Sequence, residues 1–219
     1  MTKQTINKKI KLKHQLFNLI LTACFIAISL LTCYISDILP KVSGISIEFY
    51  LVIVIISFIL IPNKWYKVLY LVLFSLIRML VIPISAINFA DLLLEYFLPL
   101  DIFIFYLWTN NYYQFLQKHC LHHHLLIFSI SLLFFTTIIM LIRLFCFVWA
   151  GYLWYTVGNW QASWIYEIGG YWVSILVVLI ILGILIIPTM KLIPILHQKY
   201  GVFNYYQKIS NHQHHVKDN

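Results

Sequence analysis

Glu95 and Asp101 stand in Leu92-Leu93-Leu94-Glu95-Tyr96-Phe97-Leu98-Pro99-Leu100-Asp101, a segment otherwise apolar enough to lie in a membrane. An ionised acid at bilayer depth costs several kcal/mol unless it is paired, solvated or used, so such a residue marks a functional site by default. Two cations have the same problem: Arg78 and Arg143 both fall inside apolar runs. Around Arg143, the residues Phe147, Ala150, Gly151 and Trp154 recur at helical spacing and share one helix face. Together with Tyr152 and Tyr155, and with Trp160, Trp164, Tyr166, Tyr171 and Trp172 further on, they gather aromatic rings beside a cation. Such a set builds either an aromatic belt at the membrane–water interface or the wall of a pocket for a flat, cationic ligand.

Histidines supply a second kind of chemistry. His119-Cys120-Leu121-His122-His123-His124 contains H-x-x-H-H, and His212-Gln213-His214-His215 lies near the C-terminus. Membrane-bound di-iron oxidoreductases use histidine boxes on the cytoplasmic side, but they need more boxes than this. The simpler role is a partly protonated cytoplasmic rim. The four cysteines have no C-x-x-C spacing, and neither a disulfide framework nor a zinc site follows from them. With no G-x-x-x-x-G-K-[ST], the chain has no P-loop for ATP.

The elements that must position these residues are membrane helices. The 219 residues are 62% hydrophobic and 10% charged, too little charge to cover a soluble domain of this size. The apolar residues fall in long runs, which predicts an all-α integral membrane bundle of six transmembrane helices. The runs lie near 15–35, 45–61, 68–85, 90–109, 125–155 and 171–187, with polar loops over 110–124 and 156–170. Residues 1–14 form a basic N-terminal arm, 15–190 the transmembrane domain and 191–219 a His- and Lys-rich tail. The net charge of +8 does not point to nucleic acid, because the lysines sit between apolar spans. Twelve lysines fall on the side that holds both termini and only Lys41 on the other, which places the termini in the cytoplasm. Asp37, Glu48, Asp91, Glu95 and Glu167 then all fall toward the outer side. At 1.5 Å per residue, Glu95 and Arg78 lie roughly 8–10 Å inside the outer ends of their spans, and Asp101 and Arg143 roughly 16–18 Å inside theirs. The depths match for two ion pairs, Glu95 with Arg78 and Asp101 with Arg143. Ala23-x-x-x-Ala27 on the first span is a small-xxx-small pattern that lets another helix approach closely.

These segments resemble the substrate-binding S components of energy-coupling factor (ECF) vitamin transporters, and most closely the thiamine-specific type. The layout is similar over most of the chain: a basic N-terminus, the Ala23/Ala27 pair, and Gly44-Ile45-Ser46-Ile47 leading into the second span. Leu94-Glu95-Tyr96-Phe97-Leu98 is similar to the family's E-Y-x-L-A-F segment. Ile142-Arg143-Leu144-Phe145, running to Ala150-Gly151, is similar to its A-R-Y-F…A-G segment. The resemblance implies an outward-facing vitamin pocket lined by Glu95, Tyr96, Arg143, Phe147, Trp154, Tyr155, Tyr166 and Tyr171. Phe147 and Tyr155 stand where the thiamine type has histidine and tryptophan, and Tyr171 where it has asparagine. The implied ligand is therefore thiamine or a related small heterocyclic vitamin. The resemblance also implies a protein that is a transporter subunit and not an enzyme, with no cofactor of its own. Its partners would be a transmembrane coupling protein, docked through Ala23 and Ala27, and two ATPase subunits that hydrolyse ATP.

Overall fold

The computed structural model describes residues 3–39, 47–81, 89–93, 97–98, 102–119, 123–156 and 158–200, with the backbone alone for 3–11, Asp91, Pro194 and 196–200. Every regular element among them is helical. In chain order these are α1 (Lys3–Ile38), α2 (Tyr50–Leu60), α3 (Lys64–Val81) and the single turn α4 (Phe89–Leu92). A 3₁₀ stretch, Ile102–Trp108, runs directly into α5 (Thr109–His119), and α6 (His124–Ala150) is followed by a π turn, Gly151–Tyr155. The last helix is α7 (Trp160–Tyr200). Among the described residues three stretches are long and apolar enough to cross a membrane: Leu12–Ile38, His124–Tyr155 and Trp160–Ile193.

Local chemistry sets the breaks. Ile61, ahead of Pro62, adopts an extended conformation (φ −75°, ψ 113°) and ends α2, as the ring of a following proline requires. The Trp65 N–H donates to Asn63 Oδ1 at 2.9 Å, which caps the start of α3. Gly158, at φ +78°, turns the chain between α6 and α7, and Asn159 Oδ1 accepts the Ala162 N–H at 3.1 Å to cap α7.

The short helix α2 forms the centre, with Leu51, Val54, Ile55 and Phe58 wholly buried. Tyr70 and Phe74 of α3 stack at 5.9 Å, and Phe58 meets Tyr70 edge-on at 6.2 Å and Tyr106 at 6.2 Å. Each buried phenol finds a partner, as a tyrosine withdrawn from water must. Tyr70 OH shares a hydrogen bond with Ser29 Oγ on α1, and Tyr106 OH one with Thr136 Oγ1 on α6, both at 2.6 Å.

The surface pattern is inverted relative to a soluble protein. On α1 the buried residues are Asn18, Thr22, Ile26, Ser29, Cys33 and Ser36, four of the six polar, while Leu16, Leu31 and Ile38 face outward. Polar side chains turned inward and aliphatic ones outward suit a hydrocarbon solvent. Satisfaction inside is local: Thr22 Oγ1 donates to Asn18 O at 2.7 Å, and Ser75 Oγ to Leu71 O at 2.9 Å.

Two expected loops are largely helix. The segment 110–124 continues as α5 through His119, where Tyr112 OH bonds Ser131 Oγ at 3.0 Å and Tyr113 meets Phe128 edge-on. The segment 156–170 shrinks to a turn, because α7 begins at Trp160. Both differences have one cause. Polar residues on a helix that projects past the apolar layer still satisfy their backbone internally, so a drop in hydropathy does not mark a helix end. Phe58→Ala, at the centre, should lower stability by about 3–5 kcal/mol, the usual range for emptying a buried aromatic site. Leu80→Ala, on the exposed face of α3, should change it by less than about 0.5 kcal/mol. Denaturant titration of the solubilised protein measures both.

Candidate functional site

Among the described residues Arg143 is the largest fully buried side chain, 1% exposed, on the face of α6 turned toward α2 and α7. Its Nη2 donates to both carboxylate oxygens of Glu48, at 2.8 and 2.9 Å. Its Nε donates to Tyr171 OH at 2.9 Å, and Tyr171 OH in turn points to Met140 Sδ at 3.8 Å. Tyr50 OH donates to Glu48 Oε1 at 2.6 Å, and the Glu48 N–H donates to Ser174 Oγ at 3.0 Å. Aromatic rings enclose the guanidinium: its Cζ lies 5.6 Å from the Phe103 ring centroid and 5.4 Å from that of Phe147. Phe147 also meets Tyr171 edge-on at 5.3 Å.

A second cation joins through Tyr50. Arg78 places its Cζ 4.9 Å from the Tyr50 ring centroid, so one face of that ring holds a guanidinium while its hydroxyl serves Glu48. The result is a continuous polar array, Arg78–Tyr50–Glu48–Arg143–Tyr171, drawn from α3, the approach to α2, α6 and α7. An ion pair removed from water is favourable only when its remaining hydrogen-bonding capacity is met, and here the Tyr50 and Tyr171 hydroxyls contribute to meeting it.

Beyond Arg143 the α6–α7 seam is equally tight. Ser163 Oγ donates to Val148 O at 2.6 Å, and a Cβ added at Gly151 would come within 2.6 Å of Ser163 Oγ. Gly151 is therefore a packing requirement of the seam. Immediately beyond it the helix takes its π turn, with Thr156 N–H bonded to Gly151 O at 2.9 Å.

Of the residues singled out from sequence, Arg143, Phe147 and Tyr171 come together in one contact set. Trp154 is half-buried, and Tyr155 and Tyr166 are exposed, at 47% and 55%. Glu95, Tyr96 and Asp101 lie outside the described residues, as do Gly44, Ile45 and Ser46. Among the described residues the acid that holds Arg143 is Glu48, and Arg78 stands over the Tyr50 ring. Ala23 and Ala27 are exposed on the outward, apolar face of α1. His119 stacks on Phe115 at 4.3 Å, with Nδ1 2.9 Å from Phe115 O, and His124 packs near Tyr113. His122 and 201–219 lie outside the described residues, and no three His, Cys, Asp or Glu side chains converge among those described.

Glu48, Tyr50, Phe103 and Ser174 are the members of the array that spacing did not single out. Ile47-Glu48-Phe49-Tyr50 did carry a signal. An acid and a phenol two residues apart, at the start of an otherwise almost wholly apolar helix, are the polar groups that the helix must carry inward.

Comparison with known proteins brings no match to the chain, whether to a family model, a curated protein or a solved structure.

Glu48→Gln leaves Arg143 buried without its counter-charge and should lower stability by about 3–5 kcal/mol, whereas replacing both residues by methionine should recover most of that loss. Unfolding midpoints of the two variants check it. Gly151→Ala forces Ser163 Oγ off Val148 O and should cost about 1–2 kcal/mol. That cost should largely vanish in the background of Ser163→Ala, where the clash and the bond are both gone.

Proposed function

We propose that this chain is the substrate-capture subunit of an ECF-type importer, a multi-pass protein of the cell membrane that takes up thiamine or a related small heterocyclic vitamin. The observation that carries the reading is the array around Arg143. Arg143, Phe147 and Tyr171, three of the positions implied by the resemblance to S components, converge on one buried polar site among helices of membrane-spanning length. Desolvating an arginine and a glutamate together adds little net stability, and besides fixing helix register the pair holds several polar groups in place at one level of the bundle. A ligand with polar edges and a flat ring does gain from phenols, a guanidinium and aromatic faces already fixed in place.

In this reading the chain crosses the bilayer six times with both termini in the cytoplasm, as the lysine distribution favours. Binding occurs from the outer side, and Glu95 and Tyr96 complete the pocket. The outward apolar face of α1 around Ala23 and Ala27 meets the coupling protein, since small residues let a second helix approach closely. Two ATPase subunits supply the energy, and the chain itself catalyses nothing.

Mass spectrometry of small molecules and metals in protein purified from cells tests the reading. One bound vitamin per chain and no iron is the expected result. Stoichiometric iron, lost when His119, His122 and His123 are changed to alanine, would replace it with an oxidoreductase. Ala23→Trp with Ala27→Trp should abolish uptake while leaving ligand affinity within about twofold. Normal uptake by that variant would remove the docking role from α1.

A further inference from the structure

Lys67 takes no part in the array around Arg143, yet only 1% of it is exposed. It stands near the start of α3, just ahead of the apolar run that begins at residue 68. There it opens the buried stripe of that helix: Lys67, Tyr70, Leu71, Phe74 and Ser75. Tyr70, one turn on, shares its hydrogen bond with Ser29 Oγ of α1, and Cys33, one turn beyond Ser29, lies beside Arg78. The two helices therefore run in the same direction, and Lys67 is level with the part of α1 that precedes Ser29. Its Nζ is buried and has no hydrogen-bond partner among the described residues.

Among the described residues no acid reaches it from the elements packed on α3. Between Asn18 and Ser29 the one titratable side chain of α1 is Cys24, which is exposed; His14 lies a turn earlier and Asp37 two turns beyond Ser29. After Tyr50, α2 carries none. The stretch Ile102–Trp108 brings Tyr106, whose hydroxyl is shared with Thr136. On α3 itself Lys64 and Tyr66 precede Lys67 and Tyr70 follows it. Burial alone therefore acts on the amine, and it brings the ammonium pKa down from the ordinary 10.5 to about 7. An ammonium withdrawn from water without a partner is costly to hold, whereas the neutral amine on its four-carbon stem packs much as an apolar side chain does. Arg143 differs in kind: a guanidinium keeps its proton and so requires Glu48, while a lysine can give its proton up and requires no acid.

We propose that Lys67 is a proton-binding site on the α1–α3 seam: it is an uncharged amine while the seam is closed, and it takes up a proton when α1 parts from α3 and water reaches Nζ. The open seam then binds the proton more tightly than the closed one. Closure is accordingly strongest near pH 10, weakens as pH falls to about 7, and gains or loses nothing further from this group below that. The inference does not depend on the transport reading. Ala23 and Ala27 lie on the outward face of α1, so a proton at Lys67 acts on the same helix from its other side.

The test uses the full-length solubilised protein labelled with ¹⁵N-lysine. The Nζ resonance missing from Lys67→Met, or from Lys67→Gln as a second neutral variant, identifies Lys67. In folded wild type that resonance should pass from ammonium to amine at least about two pH units below the other lysines. An ammonium that persists as long as theirs would overturn the inference. The thermal midpoint of the neutral variants should exceed that of wild type by a margin that shrinks as pH rises from about 7 to about 10. A margin that stays constant over that range would also overturn it. Opening is read with Ile26→Cys, a thiol on the buried face of α1, alkylated in competition with the exposed Cys24. At about pH 9, adding Lys67→Arg, which cannot shed its charge, should raise the labelling of that thiol relative to Cys24 at least about tenfold. An unchanged ratio would overturn the link between the proton and the seam. Bound vitamin and uptake in cells bear on the transport reading alone, so the two readings fail separately.

Discussion

Arg143 cannot be withdrawn from water alone, and the architecture around it follows from that constraint. Its guanidinium has five N–H groups to satisfy in a fixed plane. Glu48 takes the Nη2 edge and Tyr171 takes Nε, so the approach to α2 and the middle of α7 are both tied to α6 at one level. Tyr50 then carries the arrangement to α3 through the ring beneath Arg78. Removing the pair as a unit is tolerable; removing half of it strands a charge. That asymmetry makes the array a device for fixing helix register more than a source of net stability.

The same interaction explains why α2 is short. Eleven residues rise about 16 Å, well under the thickness of a bilayer core. The helix begins only after Glu48 because that carboxylate must lie level with Arg143, roughly 18 Å below the end of the π turn at Tyr155. Beyond the array, α6 and α7 stay in direct contact, through the Phe147–Tyr171 ring pair and the bond from Ser163 Oγ to Val148 O.

Much of this was legible in the chain before any coordinates. The apolar runs determine an all-helical protein, and the spacing of Arg143, Phe147, Ala150 and Gly151 marks one face of α6. That face is buried at Arg143 and Gly151 and in ring contact at Phe147. The partner of Arg143 was not legible, because Glu48 is 95 residues away and depth matching assumed that the second span began at Ile45. Helix ends failed for a related reason: hydropathy reports where lipid stops, while hydrogen bonding decides where a helix stops.

The central claim is that Arg143 and Glu48 are paired inside the bundle when the protein is in a membrane. Solid-state NMR on protein in lipid bilayers, with ¹³C at Glu48 Cδ and ¹⁵N at the Arg143 guanidinium, measures that pair directly. The 2.8 Å contact between Nη2 and Oε1 predicts strong dipolar recoupling between the two labels. No recoupling, in protein that remains helical and folded, would contradict the account, because the two charges would then be apart.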